Sequence, residues 1–472
     1  MATEFSQKFK ADAKRVAGDL RHRELIQGAL RKYEVVRDSC KEAFQDWQGA
    51  REGAAERKSD AIDHLDTYLE EFASKLEARG TKVHWAGTGP DARQIFLDIL
   101  KEKGARSIIK SKAMTAEEIH LNEALEKAGY SVVESDLGEY IVQLRHETPY
   151  HIVFPAMHLT RGEISSLFAE KLGSAPTDNP EDLTMIARAV LREKYVTADV
   201  GITGANFAVA ETGMVSITEN EGNARLTAAL PRTMITLLGI EKIVPKLGDL
   251  ALFLPMLATA GAGQALTGYN SMYGGPRQPG ECDGPEEFHV ILLDNGRTAL
   301  LADAEQRDTL RCIRCGACLN VCPIYRNVGG HAYGTTYSGP IGSVITPHLR
   351  GLQDWKHLSQ ASSLCGACSE ACPVKIDLHD HLLQNRRNAM ASKPVRWEKL
   401  AFRAFGWLAV RPRLLEALMP FGRFGQKWFH WIVKGGRLDP VRVWTETREL
   451  PAIAPSSFTQ LWRAKKRAEA AR

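Results

Sequence analysis

Residues 312–323 read Cys312-Ile-Arg-Cys315-Gly-Ala-Cys318-Leu-Asn-Val-Cys322-Pro323, and residues 365–373 read Cys365-Gly-Ala-Cys368-Ser-Glu-Ala-Cys372-Pro373. The first stretch has the spacing C-x2-C-x2-C-x3-C-P. Three closely spaced thiolates wrap one iron–sulfur cubane, and the fourth, expected at the start of a helix, points to another cluster. Gly316 suits close backbone approach to inorganic sulfide, and Pro323 ends the loop conformation. The second stretch is the same motif without its first cysteine. Aligned on Cys372-Pro373, Ser362 stands in that place. Cross-ligation then assigns Cys312, Cys315, Cys318 and Cys372 to cluster 1, and Cys322, Cys365 and Cys368 to cluster 2. Cluster 1 reads as [4Fe-4S]. Cluster 2, one thiolate short, is either [3Fe-4S] or a [4Fe-4S] whose last iron takes Ser362, water or a partner group.

Seven of the nine cysteines fall between 312 and 372, which is metal clustering and not a disulfide framework. Structural zinc, with four ligands per ion, fits seven cysteines and two Cys-Pro endings poorly. Cys40 and Cys282 read as ordinary thiols, although Cys282, just upstream of the motifs, is a further candidate for the missing ligand. Two adjoining clusters conduct electrons, so the first functional statement is a one-electron relay.

Outward from the motifs, residues 81–300 alternate β-branched runs with helical patterns. Expected strands are 107–109, 130–133, 152–154, 199–202, 214–218, 234–238 and 289–293, and expected helices 116–128, 161–171 and 181–194. This alternation predicts an α/β domain with a largely parallel sheet, whose ligands sit at strand C-terminal ends. Residues 1–80 read as helices that pack on a neighbouring domain, from the spacing of Leu65, Tyr68, Leu69, Phe72 and Leu76. Residues 301–385 form the cluster domain. Residues 386–472 form a basic, aromatic tail with Trp397, Trp407, Trp428, Trp431, Trp444 and Trp462.

The 472 residues are 44% hydrophobic and 25% charged, which excludes disordered, collagen-like and coiled-coil classes. Residues 381–472 hold 19 Lys and Arg against 6 Asp and Glu, so of the total +4 this segment carries +13 and the first 380 residues −9. Such a segment is expected to dock on an acidic surface, a partner subunit first and the membrane face near a quinone-linked acceptor second. No nucleic-acid motif accompanies the charge. The opening residues lack a signal-peptide core, and the most apolar run, 250–262, is short and contains Pro255. The expected location is the cytoplasm, with the inner membrane face as a peripheral option.

A second concentration of chemistry lies at 199–226. A turn at Thr203-Gly204-Ala205-Asn206 is expected to open a short helix, and Glu211-Thr212-Gly213 and Glu219-Asn220-Glu221-Gly222-Asn223 flank a strand. It is neither a dinucleotide nor a P-loop motif. Lys110 and Lys112, after the 107–109 strand, and Arg225 are candidate cations for an anionic ligand, with Asn206 beside its reacting end. His146, His151 and His158 lack metal-ligand spacing and read as structural. The Gly- and aromatic-rich loop 329–340 is expected to pack on the clusters or a partner.

The segments KSKAM (110–114), HLNEALEKAGYSVVESDLGEYIVQL (120–144), ITGANFAVAETG (202–213) and NEGNARL (220–226), together with both cysteine motifs, resemble the lactate utilization protein B family from about residue 60 onward. The resemblance implies an iron–sulfur subunit of a three-protein system that oxidises L-lactate to pyruvate and supports growth on lactate. Its partners would be a cysteine-rich iron–sulfur protein and a second lactate-utilization-domain protein. It implies an α/β fold similar to the deaminase, isomerase and CoA-transferase group, and cluster ligands on the same seven cysteines. The three-cysteine second motif is the family's own pattern. By analogy with the CoA-transferases, Glu211 is offered a catalytic role; fold alone does not carry function. The alternatives are a non-redox binding or regulatory protein with structural or redox-sensing clusters, and an electron carrier for another 2-hydroxy acid.

Overall fold

The computed structural model describes residues 3–392, 396–433, 445, 448–449 and 451–471. It divides into two compact units, Met1–Ala389 and Met390–Arg472.

The first unit is built on a six-stranded, wholly parallel sheet of order β1-β10-β7-β4-β2-β3. Its strands are β1 (Lys82–Ala86), β2 (Ser107–Lys110), β3 (Ser131–Glu134), β4 (Val200–Gly204), β7 (Thr233–Gly239) and β10 (Glu287–Leu293). Every residue of β7 is buried, as expected of a strand covered on both faces. A second sheet, β8-β5-β6-β9, contains β5 (Phe207–Val209), β6 (Met214–Glu219), β8 (Ile243–Val244) and β9 (Tyr269–Tyr273). Four N-terminal helices precede β1, Glu4–Gly18, Leu20–Glu42, Trp47–Asp63 and Leu65–Glu77. Leu65, Leu69, Phe72 and Leu76 are buried in a core shared with β7 and β10, while Tyr68 turns outward to bond Asp60.

Three local expectations are corrected. Residues 152–154 form a loop, because His151 Nδ1 accepts the backbone N–H groups of Val153 and Phe154 at 3.0 and 3.2 Å in place of a ladder. The segment after Asn206 is strand β5 and not a helix; Phe207, Ala208 and Val209 are all buried between sheet neighbours. The single helix at 116–128 is two, Met114–Glu118 and Leu121–Lys127, broken at His120 with φ +52°.

After β10 the chain enters the cysteine region. Two short helices, Ala317–Val321 and Ala367–Ala371, pack on each other and carry the ends of the two motifs. The core here joins Cys315, Cys318, Cys368 and Cys372 with Leu319, Tyr325, Tyr333 and Ile341.

The second unit holds helices Arg396–Ala409, Pro412–Val433 and Phe458–Ala470. Phe402, Phe405, Trp407, Phe421, Phe424 and Trp428 are exposed on it. Trp444 lies outside the described residues, as do the side chains of Trp397 and Trp431. Among the described residues no helix is long and apolar enough to cross a membrane.

Candidate iron–sulfur centre and the adjoining cavity

The two motifs fold alike. Arg314 and Leu364, each one residue before a cysteine, take φ of +60° and +54°. Gly316 and Gly366, each one residue after, take +81° and +82°. Each glycine carbonyl then accepts from the residue three positions on, Leu319 N–H or Ser369 N–H, at 3.0 Å, starting the short helix.

The sulfurs fall into two groups. Cys315 lies within electrostatic reach of Cys312 and Cys372, Cys318 of Cys312 and Cys315, and Cys372 of Cys312. Cys322 lies near Cys365, and Cys368 near both. Cys318 also lies within electrostatic reach of Cys368, across the two groups. Burial pushes the Cys315, Cys318, Cys322, Cys368 and Cys372 thiols up, Cys368 to about 11 and Cys372 to about 12. All nine cysteines are free. The Arg314 and Ile376 N–H groups each donate to sulfur at 3.4 Å, on Cys312 and Cys372. Converging thiols with N–H groups aimed at them, and no disulfide, are a donor set that fits iron–sulfur clusters. Arg51 of the N-terminal helices braces the second motif by donating to the carbonyls of Cys372 (2.9 Å) and Ser369 (3.2 Å). Cys40 donates to the Gly263 carbonyl, and Cys282 is exposed after β9.

Beside the first motif opens a cavity at the C-terminal ends of β2, β4 and β6. Lys112, Asn206, Glu219, Glu221, Lys242, Arg314, Cys315 and Tyr337 are among its lining residues. One wall is therefore the ends of the strands and the other the first cysteine motif. Arg314 is 9% exposed. Its Nη2 donates to Glu241 Oε1 at 3.2 Å and its guanidinium stacks on Tyr337 at 4.6 Å, while Nε and Nη1 are buried with no hydrogen-bond partner among the described residues. Burial brings Lys242 down to about 8, against the opposing pull of Glu241. Lys112 donates to the Val153 carbonyl at 2.8 Å. Glu221 lies within reach of Lys112, Glu219 accepts from the Ala224 and Arg225 N–H groups at 2.6 and 2.9 Å, and burial raises both carboxyls. Arg314 and Lys242 put two cations in the lining, with which a carboxylate ligand could pair.

Of the five residues singled out in the α/β domain, Lys112 and Asn206 line this cavity. Asn206 Oδ1 accepts from Thr218 N–H at 2.9 Å. The other three stand apart from it. Lys110 is fully buried and ion-paired to Glu134 at 2.8 Å and Glu117 at 3.3 Å. Glu211 accepts from Leu247 N–H at 2.9 Å, and Arg225 lies over the Tyr269 ring. The structure adds Arg314, Lys242, Glu219, Glu221 and Tyr337. Only the oddity of an arginine inside a cysteine motif marked Arg314 in the sequence. His151 is structural, bonded to Asn320 at 2.8 Å and lowered to about 3 by burial. His158 pairs with Glu147 at 2.9 Å. Tyr333 of the Gly-rich loop lines a small cavity with Cys322 and Ser362.

Residues 69–293 match the LUD domain and residues 308–376 the 4Fe-4S dicluster domain. The chain is 45% identical to lactate utilization protein B of Bacillus velezensis over 92% of each chain. With lactate utilization protein B of Bacillus subtilis it is 44% identical over 92% of this chain and 91% of that one. It is also 41% identical to the "Uncharacterized electron transport protein YkgF" of Escherichia coli over 95% of each. A solved DUF162 family protein from Deinococcus radiodurans aligns with 48% of this chain and 98% of its own at 13% identity and a TM-score of 0.27, too distant to bear on the argument. With a LUD domain whose cavity abuts a 4Fe-4S domain, and with relatives matched over nearly its whole length, this chain belongs to the lactate utilization protein B family.

Proposed function

We propose that this chain is the iron–sulfur electron-transfer subunit of a complex that oxidises L-lactate to pyruvate, working with two further lactate-utilization subunits. The relatives' names support lactate as the substrate, and the 4Fe-4S domain supports electron transfer. We assign [4Fe-4S] cluster 1 to Cys312, Cys315, Cys318 and Cys372, and cluster 2 to Cys322, Cys365 and Cys368. The observation that carries the reading is that Cys315 lines the same cavity as Arg314, Lys242 and Lys112. A carboxylate held there sits against the ligand shell of cluster 1.

Oxidation of a 2-hydroxy acid to a 2-oxo acid releases two protons and two electrons. When bound, the two clusters supply one-electron acceptors, together enough for the pair that leaves C2. The chain's own residues do the rest. Arg314 supplies a guanidinium charge to the lining, and Lys242 adds a second cation. Glu221, raised by burial, stands among the lining residues as the group to take the hydroxyl proton, and the second proton, from C2, leaves to water. Tyr337 holds the guanidinium plane from behind.

Anaerobic protein mixed with its two partners and L-lactate should bleach in the visible while pyruvate accumulates in proportion. D-lactate is the control. Clusters that stay oxidised while the complex turns over would show that they are structural or sensing.

A further inference from the structure

We infer that Ser362 is the fourth protein ligand of cluster 2, binding its last iron through Oγ. The inference rests on the two-cluster reading above and goes beyond it by choosing among Ser362, water, a partner group and a three-iron cluster.

Three observations carry it. First, the backbone of the second motif repeats that of the first: left-handed residues at Arg314 and Leu364, then at Gly316 and Gly366. At the head of the first motif Arg314 N–H donates to Cys312 Sγ at 3.4 Å. At the head of the second, Leu364 N–H donates to Ser362 Oγ at 3.1 Å. The serine oxygen therefore holds, relative to its own motif, the place the ligand sulfur holds in the other. Second, Ser362 lines a small cavity with Cys322, the cross-ligand of cluster 2 from the first motif. The other walls include Tyr333, Leu358 and Leu382, so an oxygen ligand there is sheltered on an apolar floor. Third, the segment is pinned. Arg386 donates to the carbonyls of Ser362 at 2.7 Å and Ser359 at 3.0 Å.

The chemistry follows from ligand hardness. An alkoxide is harder than a thiolate and favours ferric over ferrous iron. Cluster 2 should therefore have a lower midpoint potential than its four-thiolate counterpart and should lose the serine-bound iron first.

The test uses the full chain, reconstituted anaerobically, as wild type, Ser362→Ala, Ser362→Cys and Cys365→Ser. Iron and sulfide analysis, Mössbauer spectra and paramagnetic resonance are read on each. Wild type should hold about eight irons. Ser362→Ala should hold about seven, with a three-iron signal from cluster 2 and an unchanged cluster 1. Ser362→Cys should restore the full count, raise the midpoint potential of cluster 2 and slow iron loss in air. A wild-type spectrum in Ser362→Ala, or a three-iron cluster already in wild type, overturns the assignment. If the alanine variant does not assemble, an unshifted potential in Ser362→Cys overturns it. Failure of the two-cluster reading looks different: wild type then holds about four irons, and Cys365→Ser changes nothing.

Discussion

Arg314, inside the first cysteine motif, donates to Glu241 Oε1 across 3.2 Å, and Glu241 follows the end of the central strand β7. Glu241 also accepts from Arg297 Nε. Arg297 forks onto Glu118 at 2.8 and 2.9 Å, and Tyr337 donates to Glu118 at 2.7 Å. A buried ionic chain thus joins the sheet to the cluster region and holds Arg314 in the cavity wall. Breaking such a chain on one side strands a buried charge, which costs about 3–5 kcal/mol.

Glu241 sets an acid limit. Burial acts to raise its carboxyl, but Arg297 and Arg314 outweigh that and hold it at about 2. A folded-state value below the unfolded one contributes stability that is full above about pH 4.5 and is lost as pH falls toward about 2. Thermal unfolding of the apo-protein followed from pH 6 to 3 should show a slope that flattens in Glu241→Gln. Parallel slopes would place the acid sensitivity elsewhere.

Lys242 sets an alkaline limit on anion binding. Its charge is lost as pH rises through about 8. L-lactate affinity, measured calorimetrically, should weaken about tenfold as that one cation is lost. Lys242→Gln should bind weakly and independently of pH. An unchanged profile in the variant would remove Lys242 from the site.

Lys110, Glu211 and Arg314 separate by readout. Lys110→Met, which orphans buried Glu134, should lower stability by about 3–5 kcal/mol. Glu211→Gln, outside the cavity, should keep complex activity within a few-fold. Arg314→Lys keeps the charge but loses the planar stacking on Tyr337 that fixes it in the cavity wall, and should raise the lactate KM about tenfold or more. A hundredfold loss in Glu211→Gln would return the chemistry to that residue.

Cross-ligation has its own signature. Cys372→Ser should erase the same resonance as Cys312→Ser, and Cys365→Ser the other one. If Cys372→Ser behaves like Cys365→Ser, each motif binds its own cluster.

The Met390–Arg472 unit, with its positive charge and exposed aromatics such as Phe402 and Phe424, is proposed to dock an acidic face of a partner subunit. A chain ending at Ala389 should keep full iron content and fail to co-elute with the partners at physiological salt. Intact co-elution removes that role.

Much of this was legible from residue spacing. The two motifs carry their geometry in the sequence, and the strands at 107–110, 214–219 and 233–239 are β-branched runs. Edge strand β1 was not legible, because Lys82, His84 and Trp85 give it no β-branched run. The loop at 152–154 looked like a strand because its true determinant, the His151 ring, acts through hydrogen bonds. Lys112 and Asn206 were found at strand ends, where ligands gather. Lys110, the last residue of β2, is instead buried against Glu134 and Glu117, a pairing that only the tertiary fold makes. Arg314 and Lys242 were missed because only the tertiary fold brings a cysteine loop over the end of a sheet.

The central claim, that a carboxylate in the cavity touches the ligand shell of cluster 1, is tested most directly by electron–nuclear double resonance on the reduced protein with L-lactate labelled with carbon-13 at the carboxylate. A resolved carbon-13 coupling to the cluster 1 signal, lost in Arg314→Gln with the cluster signal itself intact, is the predicted result. A wild-type spectrum without that coupling at saturating lactate would contradict it and place the substrate on another subunit.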